Sequence, residues 1–149
     1  MDWFMQGIGS FLAAVGISVV FNAPAKFLVN CGVLGIMGWM TSYILIKNSV
    51  NIYPASFAGA FIVGILAHVL ASYFKMPTIL FNVAGIIPLV PGGMAYEAMH
   101  SIASNKYIEG LQYAANVSVL SAVIVVGLVF ADVLIKLISS IKYRLKRVV

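Results

Sequence analysis

Two ionisable side chains, Glu97 and His100, stand three residues apart in an otherwise apolar stretch and are the first candidates for chemistry. A spacing of three places both on one face of a helix. A carboxylate inside a membrane-spanning segment is a candidate proton acceptor or cation contact, so we predict that Glu97 and His100 carry a coupling proton. The alternatives are that they pair with each other, or that Glu97 is solvated at the interface. One Glu-x-x-His supplies too few ligands for a metal, so no metal site is expected.

Just before these residues the stretch is interrupted by Pro88, Pro91, Gly92 and Gly93. Proline lacks an amide proton and disfavours helix at the preceding residue, while glycine takes conformations closed to other residues. A new helix therefore starts with unpaired amides and partial positive charge, which can hold a carboxylate or phosphate without Lys or Arg. We predict that these four residues and Tyr96 bind substrate. The alternative is a proline kink packed against neighbouring helices.

Other polar residues lie in apolar runs. Asn82 and Asn116 are added to the predicted substrate site, although such amides more often bond between helices. His68 is interpreted as bonded to a neighbouring helix's backbone, with a proton relay as the less favoured alternative. Asp132 and Lys136 are spaced for an ion pair on one helix face, and we expect it to be structural and close to the cytoplasmic interface.

The elements that position these residues must cross a membrane. The 149 residues are 62% hydrophobic and 9% charged, with a mean hydropathy of +1.06, whereas a soluble domain carries roughly 25% charged residues. The net charge is +5, but five of the nine basic residues lie within 136–147, which indicates an anchor beside anionic headgroups rather than a nucleic-acid site. The single cysteine, Cys31, excludes an internal disulfide and indicates a small buried hydrophobe. No cofactor is expected.

Hydropathy predicts an all-α, polytopic bundle in one integral membrane domain, followed by a basic tail at 139–149. The first run has no basic n-region and exceeds the usual ~15-residue limit of a signal peptide's apolar segment, so we expect it to be retained. The fourth run is either one discontinuous span or a re-entrant pair, because its first part is too short to cross alone. The five predicted spans are 3–21, 27–46, 52–74, 78–103 and 111–138.

Charges in the loops predict the orientation. With five spans, Lys26, Lys75 and the basic tail share one side. The opposite side receives Asp2, Lys47, Lys106 and Glu109. The positive-inside rule then places the C-terminus in the cytoplasm and the N-terminus outside. A re-entrant fourth segment would separate Lys75 from the tail, so the charges favour five spans.

Small residues recur on nearly every predicted span. Gly32, Gly35 and Gly38 form one such face, and Ala60 with Gly64 form another. Small faces let helices approach closely in membranes. Because there are so many, we expect these faces to bind a partner subunit or a second copy of the chain.

The chain resembles the threonine/serine exporter family. The resemblance lies in the runs 20–24 (VFNAP) and 86–92 (IIPLVPG), followed by Ala95 and Tyr96. It covers nearly the whole chain and matches the short form that corresponds to the family's C-terminal half. Glu97 and His100 are not part of the family pattern.

The resemblance implies a multi-pass protein of the bacterial cytoplasmic (inner) membrane that exports threonine, serine or small dicarboxylates. It also implies a partner resembling the family's N-terminal half, and about ten spans in the full unit. We therefore predict a subunit of a secondary active exporter, driven by the proton motive force and paired with a larger homologous subunit. The alternative is a non-transporting membrane scaffold or assembly subunit. No nucleophile, base and orienting group converge in the sequence, so no enzyme is predicted.

Overall fold

The computed structural model describes residues 2–145, with side chains described for 3–140, and all regular structure in that range is helical. Most of the predicted basic tail and the two chain ends therefore lie outside the described side chains. Two short 3-10 turns, Ala25–Phe27 and Ile87–Leu89, separate neighbouring helices. The six α-helices are α1 (Asp2–Val20), α2 (Leu28–Lys47), α3 (Ile52–Phe74), α4 (Thr78–Ile86), α5 (Gly92–Ala103) and α6 (Tyr107–Leu145).

Four of these helices, α1, α2, α3 and α6, are long and apolar enough to cross a membrane. The pair formed by α4 and α5 passes the same test only together, with a 56° bend between its two parts. The predicted all-α polytopic bundle with a broken fourth segment is confirmed. The last helix is longer than the predicted span 111–138: its 39 residues measure about 58 Å at a rise of about 1.5 Å per residue, against about 30 Å of hydrocarbon.

The connections between helices are short, and four of them contain a residue in the left-handed conformation that lets the chain turn. Positive φ angles occur at Asn22, Ser49, Lys75 and Asn105, each of which follows the end of a helix. At the start of α3, the side chain of Asn51 accepts a hydrogen bond from the Tyr53 amide, as an N-cap residue does.

The glycine stripe of α2 is buried within the chain. A Cβ placed on Gly35 would lie 2.5 Å from the Cβ of Ala14 on α1, and one on Gly38 would overlap Val63 of α3. On α3, Gly64 would meet Ala131 of α6 at 2.6 Å. The expectation that these faces bind a partner is therefore wrong, because contacts inside the chain already occupy them.

Helix directions follow from the contacts between helices. Along α3, Tyr53 contacts Asn116, Gly64 contacts Ala131, and His68 contacts Asp132 of α6. Residue numbers rise together on both helices, so α3 and α6 are parallel. The chain leaves α3 at one end of the bundle and enters α6 from the other. The broken pair between them therefore carries the chain across the bundle once, as a discontinuous span rather than a re-entrant loop.

The two ends of the bundle differ in their side chains. At one end the Phe27 ring packs on Phe74 at 5.0 Å and on Phe81 at 6.0 Å, next to Lys26 and Lys75 in sequence. At the other end the Lys47 ammonium lies 4.6 Å from the centre of the Trp3 ring. Lys26 and Lys75 thus share one end of the bundle, which is also the end towards which α6 runs.

Candidate functional site

The break between α4 and α5 has the backbone that its prolines require. Pro88 lies in the 3-10 turn, and Val90 is extended at φ −62° and ψ 129°, as expected for a residue that precedes proline. Pro91 precedes α5 at φ −76° and ψ 55°, and no side chain caps the helix. The bend is therefore determined by the sequence at the break itself.

Glycine's conformational freedom is not used at this break. No glycine among residues 2–145 has a positive φ, so Gly92 and Gly93 do not adopt the conformations closed to other residues that glycine makes possible. A Cβ placed on either glycine would meet no atom within 4 Å. Both glycines instead leave bare backbone at an open surface.

The first turn of α5 offers fewer free amides than expected. The Gly92 amide donates to the Val90 carbonyl at 2.7 Å, and the Ala95 amide donates to the Pro91 carbonyl at 3.1 Å. The first-turn amides of Gly93 and Met94 lack intrahelical acceptors by helix geometry. Two donors therefore point out of the positive end of the α5 dipole, a suitable arrangement for an anionic group.

The break lies at mid-height in the bundle. The break packs against two glycines of α2. A Cβ added to Gly35 would lie 3.4 Å from the Pro88 side chain, and one added to Gly38 would lie 3.4 Å from the Leu89 side chain. Gly35 and Gly38 occupy the middle of α2, which spans Leu28–Lys47. The start of α5 is thus close to the centre of the bundle's thickness.

The structure does not bring the two predicted asparagines together. The Asn82 side-chain oxygen is buried without a hydrogen-bond partner and follows Phe81 at the phenylalanine end of the bundle. The Asn116 oxygen accepts a hydrogen bond from the Tyr53 hydroxyl at 3.5 Å, at the opposite end of α3. Asn116 therefore joins α6 to α3, which is the alternative role given for such amides from the sequence.

The predicted residues of α5 share an exposed surface. Tyr96 is 64% exposed, and its ring stacks on His100 at a centroid distance of 5.9 Å. Glu97 and His100 are also exposed. None of the ion pairs among residues 3–140 includes Glu97. The structure therefore does not contain the Glu97–His100 pair that was one alternative.

A groove beside the break contains polar residues that the sequence analysis missed. The Trp39 indole donates a hydrogen bond to the Gln6 side-chain oxygen at 2.9 Å, which joins α2 to α1. The signal was present, because Gln6 is an uncharged polar residue inside the first apolar run. The groove holds about 220 Å³ and is lined by Gln6, Gly9, Ser10, Ala13, Trp39 and Pro88.

A second polar group lies between α3 and α6. The His68 Nδ1 atom is 3.3 Å from an Asp132 carboxylate oxygen, and the Lys136 ammonium is 3.5 Å from the other oxygen. Nδ1 is buried, and its contact with Asp132 does not have the geometry of a hydrogen bond. His68 thus faces a carboxylate rather than the backbone that the sequence analysis favoured.

Residues 6–134 match the family described as threonine/serine exporter, ThrE. That match covers more than half of the chain. The chain belongs to the threonine/serine exporter family. Membership confirms the resemblance and supports a role in transport and export, which also fits the prediction that the chain is not an enzyme.

This exporter-family chain also has a curated relative. A Haemophilus influenzae protein described as uncharacterized is 35% identical over 114 residues, which cover 68% of this chain and 38% of the relative. The chain therefore spans well under half the length of that relative. No solved structure matches the exporter chain. Within the described part of the chain, no group of three His, Cys, Asp or Glu residues could hold a metal ion.

Proposed function

We propose that this chain is one subunit of a secondary active exporter of small polar metabolites, either threonine- and serine-type amino acids or small dicarboxylates, in a bacterial cytoplasmic membrane. The observation that carries the proposal is the helix break at mid-height, where α5 begins with free amides and bare glycine backbone. Discontinuous spans with a helix terminus at the membrane midplane are a recurring way for transporters to bind substrate.

The substrate's carboxylate binds at the start of α5 in this proposal. Both amino acids and dicarboxylates carry a carboxylate, and the Gly93 and Met94 amides are donors that need no basic side chain. Gly92 and Gly93 let the ligand reach the backbone. Pro88, Pro91 and Tyr96 shape the site, and the groove that contains Gln6 and Pro88 adjoins it. Asn82 stays a proposed ligand because its buried oxygen lacks a partner; Asn116, bonded to Tyr53, is the weakest of the proposed ligands.

A larger homologous subunit completes the site in this proposal. Helix α5 packs mainly on α6, and its outer face is open, with Met99 73% exposed and Glu97 and His100 exposed as well. The H. influenzae relative contains chain beyond the part matched here, which supports the proposal of a larger homologous partner. The partner covers the open face of α5 and closes the substrate path.

The orientation and the driving force are also part of the proposal. The end of the bundle that carries Lys26 and Lys75 faces the cytoplasm, together with the C-terminus, and the N-terminus lies outside. Export is driven by the proton motive force. Glu97 and His100 are exposed on α5, where a proton could reach them from the water-filled path.

Metabolite efflux tests this function. Cells with and without this gene and its partner are loaded with labelled threonine, serine or a C4 dicarboxylate, and release is followed after an uncoupler collapses the proton gradient in half of the samples. We expect gradient-dependent efflux only when both genes are present. The scaffold alternative would be supported by a different result. In that case, deletion of this gene leaves the efflux of every probe unchanged, but the partner no longer reaches the membrane.

A further inference from the structure

The polar group between α3 and α6 contains one carboxylate between two groups that can be cationic. Asp132 places one oxygen 3.3 Å from His68 and the other 3.5 Å from Lys136. The His68 side chain is 25% exposed, that of Asp132 41% and that of Lys136 72%. The three side chains therefore form a line from the α3–α6 interface towards the surface.

The other helices that pack on α3 bring no further charge to this point. Helix α4 has no titratable side chain. On α2, the Cys31 thiol faces Ser18 of α1, while Tyr43 and Lys47 pack with Trp3 at the opposite end of the bundle. Asp132 and Lys136 are therefore the charged groups that face His68.

A structural ion pair in this position needs only two members. Asp132 and Lys136 are four residues apart and already neutralise each other on one helix. His68 adds a third group, and histidine is the side chain whose charge changes in the physiological pH range. An ionisable group inside a membrane span is a candidate functional residue, and proton relays are one of the roles that such groups have. A proton on His68 would create a second cation that competes with Lys136 for one carboxylate.

The contact also lies where such a change can affect the rest of the chain. Gly64 and Ala131 touch within one turn of the pair, so α3 and α6 are closely packed there. Helix α6 follows α5 directly, and α5 begins at the break. A change in whether Asp132 pairs with His68 on α3 or with Lys136 on α6 therefore acts on α6, the helix that supports α5.

We propose that His68 and Asp132 form the binding site for the coupling proton, and that Lys136 is the counter-charge which the proton displaces. In each cycle one proton from water on one side binds an imidazole nitrogen and later leaves to water on the other side, with no other bond formed or broken. This inference rests on the proposed function, and it assigns the proton to the α3–α6 interface rather than to Glu97 and His100.

Everted membrane vesicles that contain the chain with its partner test the assignment. Two activities are measured with labelled threonine, serine and a C4 dicarboxylate: accumulation driven by an imposed pH gradient, and counterflow without any gradient. For His68→Gln and for Asp132→Asn we expect gradient-driven accumulation to fall about tenfold or more, within the range of coupling between sites, while counterflow is retained. Glu109→Gln is the matched control, because it neutralises an exposed carboxylate that pairs with Lys106 at the start of α6.

Each outcome of these measurements either supports or overturns the assignment of the coupling proton to His68 and Asp132. Gradient-driven accumulation at the wild-type level in His68→Gln overturns the proposal, as does equal loss of both activities at normal abundance, which indicates a packing role. Selective loss of gradient coupling in Glu97→Gln but not in His68→Gln moves the proton to α5 and also overturns it. If the wild-type pair transports none of the probes, the proposed function itself fails and this inference falls with it.

Discussion

At the scale of single residues, Gly92 and Gly93 have no reason to be glycine within the chain. Their φ angles are ordinary, and a side chain at either position would meet open space. Most of the other glycines differ, because Gly64 and Gly127, for example, touch neighbouring helices closely; only Gly7, Gly9 and Gly16 on α1 also meet open space. At the start of α5, bare backbone leaves the free amides accessible from outside the chain, as the proposed substrate site requires.

Gly92→Val tests that use. Valine is a better helix former than glycine and has room here, so we expect normal abundance in the membrane but loss of export, because the β-branched side chain crowds the free amides. Abundance is measured by immunoblot of membranes and export by labelled-metabolite efflux. Ala103→Val, at the far end of α5, is the control and should export normally. Wild-type efflux from Gly92→Val would show that the start of α5 does not bind the substrate.

At the scale of helices, the most extensive contact is the one between the parallel helices α3 and α6. Gly127 on α6 would bring a Cβ to 2.9 Å from the Phe57 carbonyl oxygen, and Gly64 on α3 would meet Ala131. Without a hydrophobic driving force in lipid, such close backbone approach is what holds two helices together. These two helices also carry the His68–Asp132 contact, so their packing sets its distance.

Gly64→Val should therefore weaken the fold. The added atoms overlap Ala131 and force the helices apart, and overpacking of this kind costs about 1–3 kcal/mol. The measurement is the free energy of unfolding of the purified protein in mixed micelles, titrated with a denaturing detergent. Ala122→Val, at an exposed position on α6, should leave that free energy unchanged. Equal stability of the two variants would contradict the close α3–α6 packing.

At the scale of the whole molecule, the two ends of the bundle carry different lysines. Lys26 and Lys75 lie at the end towards which α6 runs, while Lys47 lies with Trp3 at the other. This arrangement holds only if the broken pair α4–α5 crosses the bundle once. A re-entrant pair would begin α6 at the same end as Lys75 and make it antiparallel to α3, contrary to the contacts.

Cysteine labelling in intact cells measures that arrangement. In a Cys31→Ala background, Ser49→Cys and Ser104→Cys place single thiols in the α2–α3 and α5–α6 loops. We expect a membrane-impermeant maleimide to label both from outside, and to label Lys75→Cys only after the cells are opened. Labelling of Ser49→Cys and Ser104→Cys from opposite sides would refute the single crossing.

Several features of this protein were determined by the sequence alone. Apolar runs of sufficient length predict the spanning helices, because backbone groups in lipid must bond within the helix. Pro88 and Pro91 predict the break, because proline acts on its own residue and the one before it. The spacing of Asp132 and Lys136 predicts their ion pair, which the structure contains at 3.5 Å. Each of these effects depends on residues that are close together along the chain.

Other features were decided only by the tertiary structure. The Gly32, Gly35 and Gly38 face was expected to bind a partner, yet α1, α3 and the break occupy it. His68 was expected to bond to backbone, yet it faces a carboxylate 64 positions away. Helical periodicity shows which residues share a face, but the neighbour of each face depends on how all six helices pack at once. That choice placed His68 beside Asp132 and left the start of α5 open.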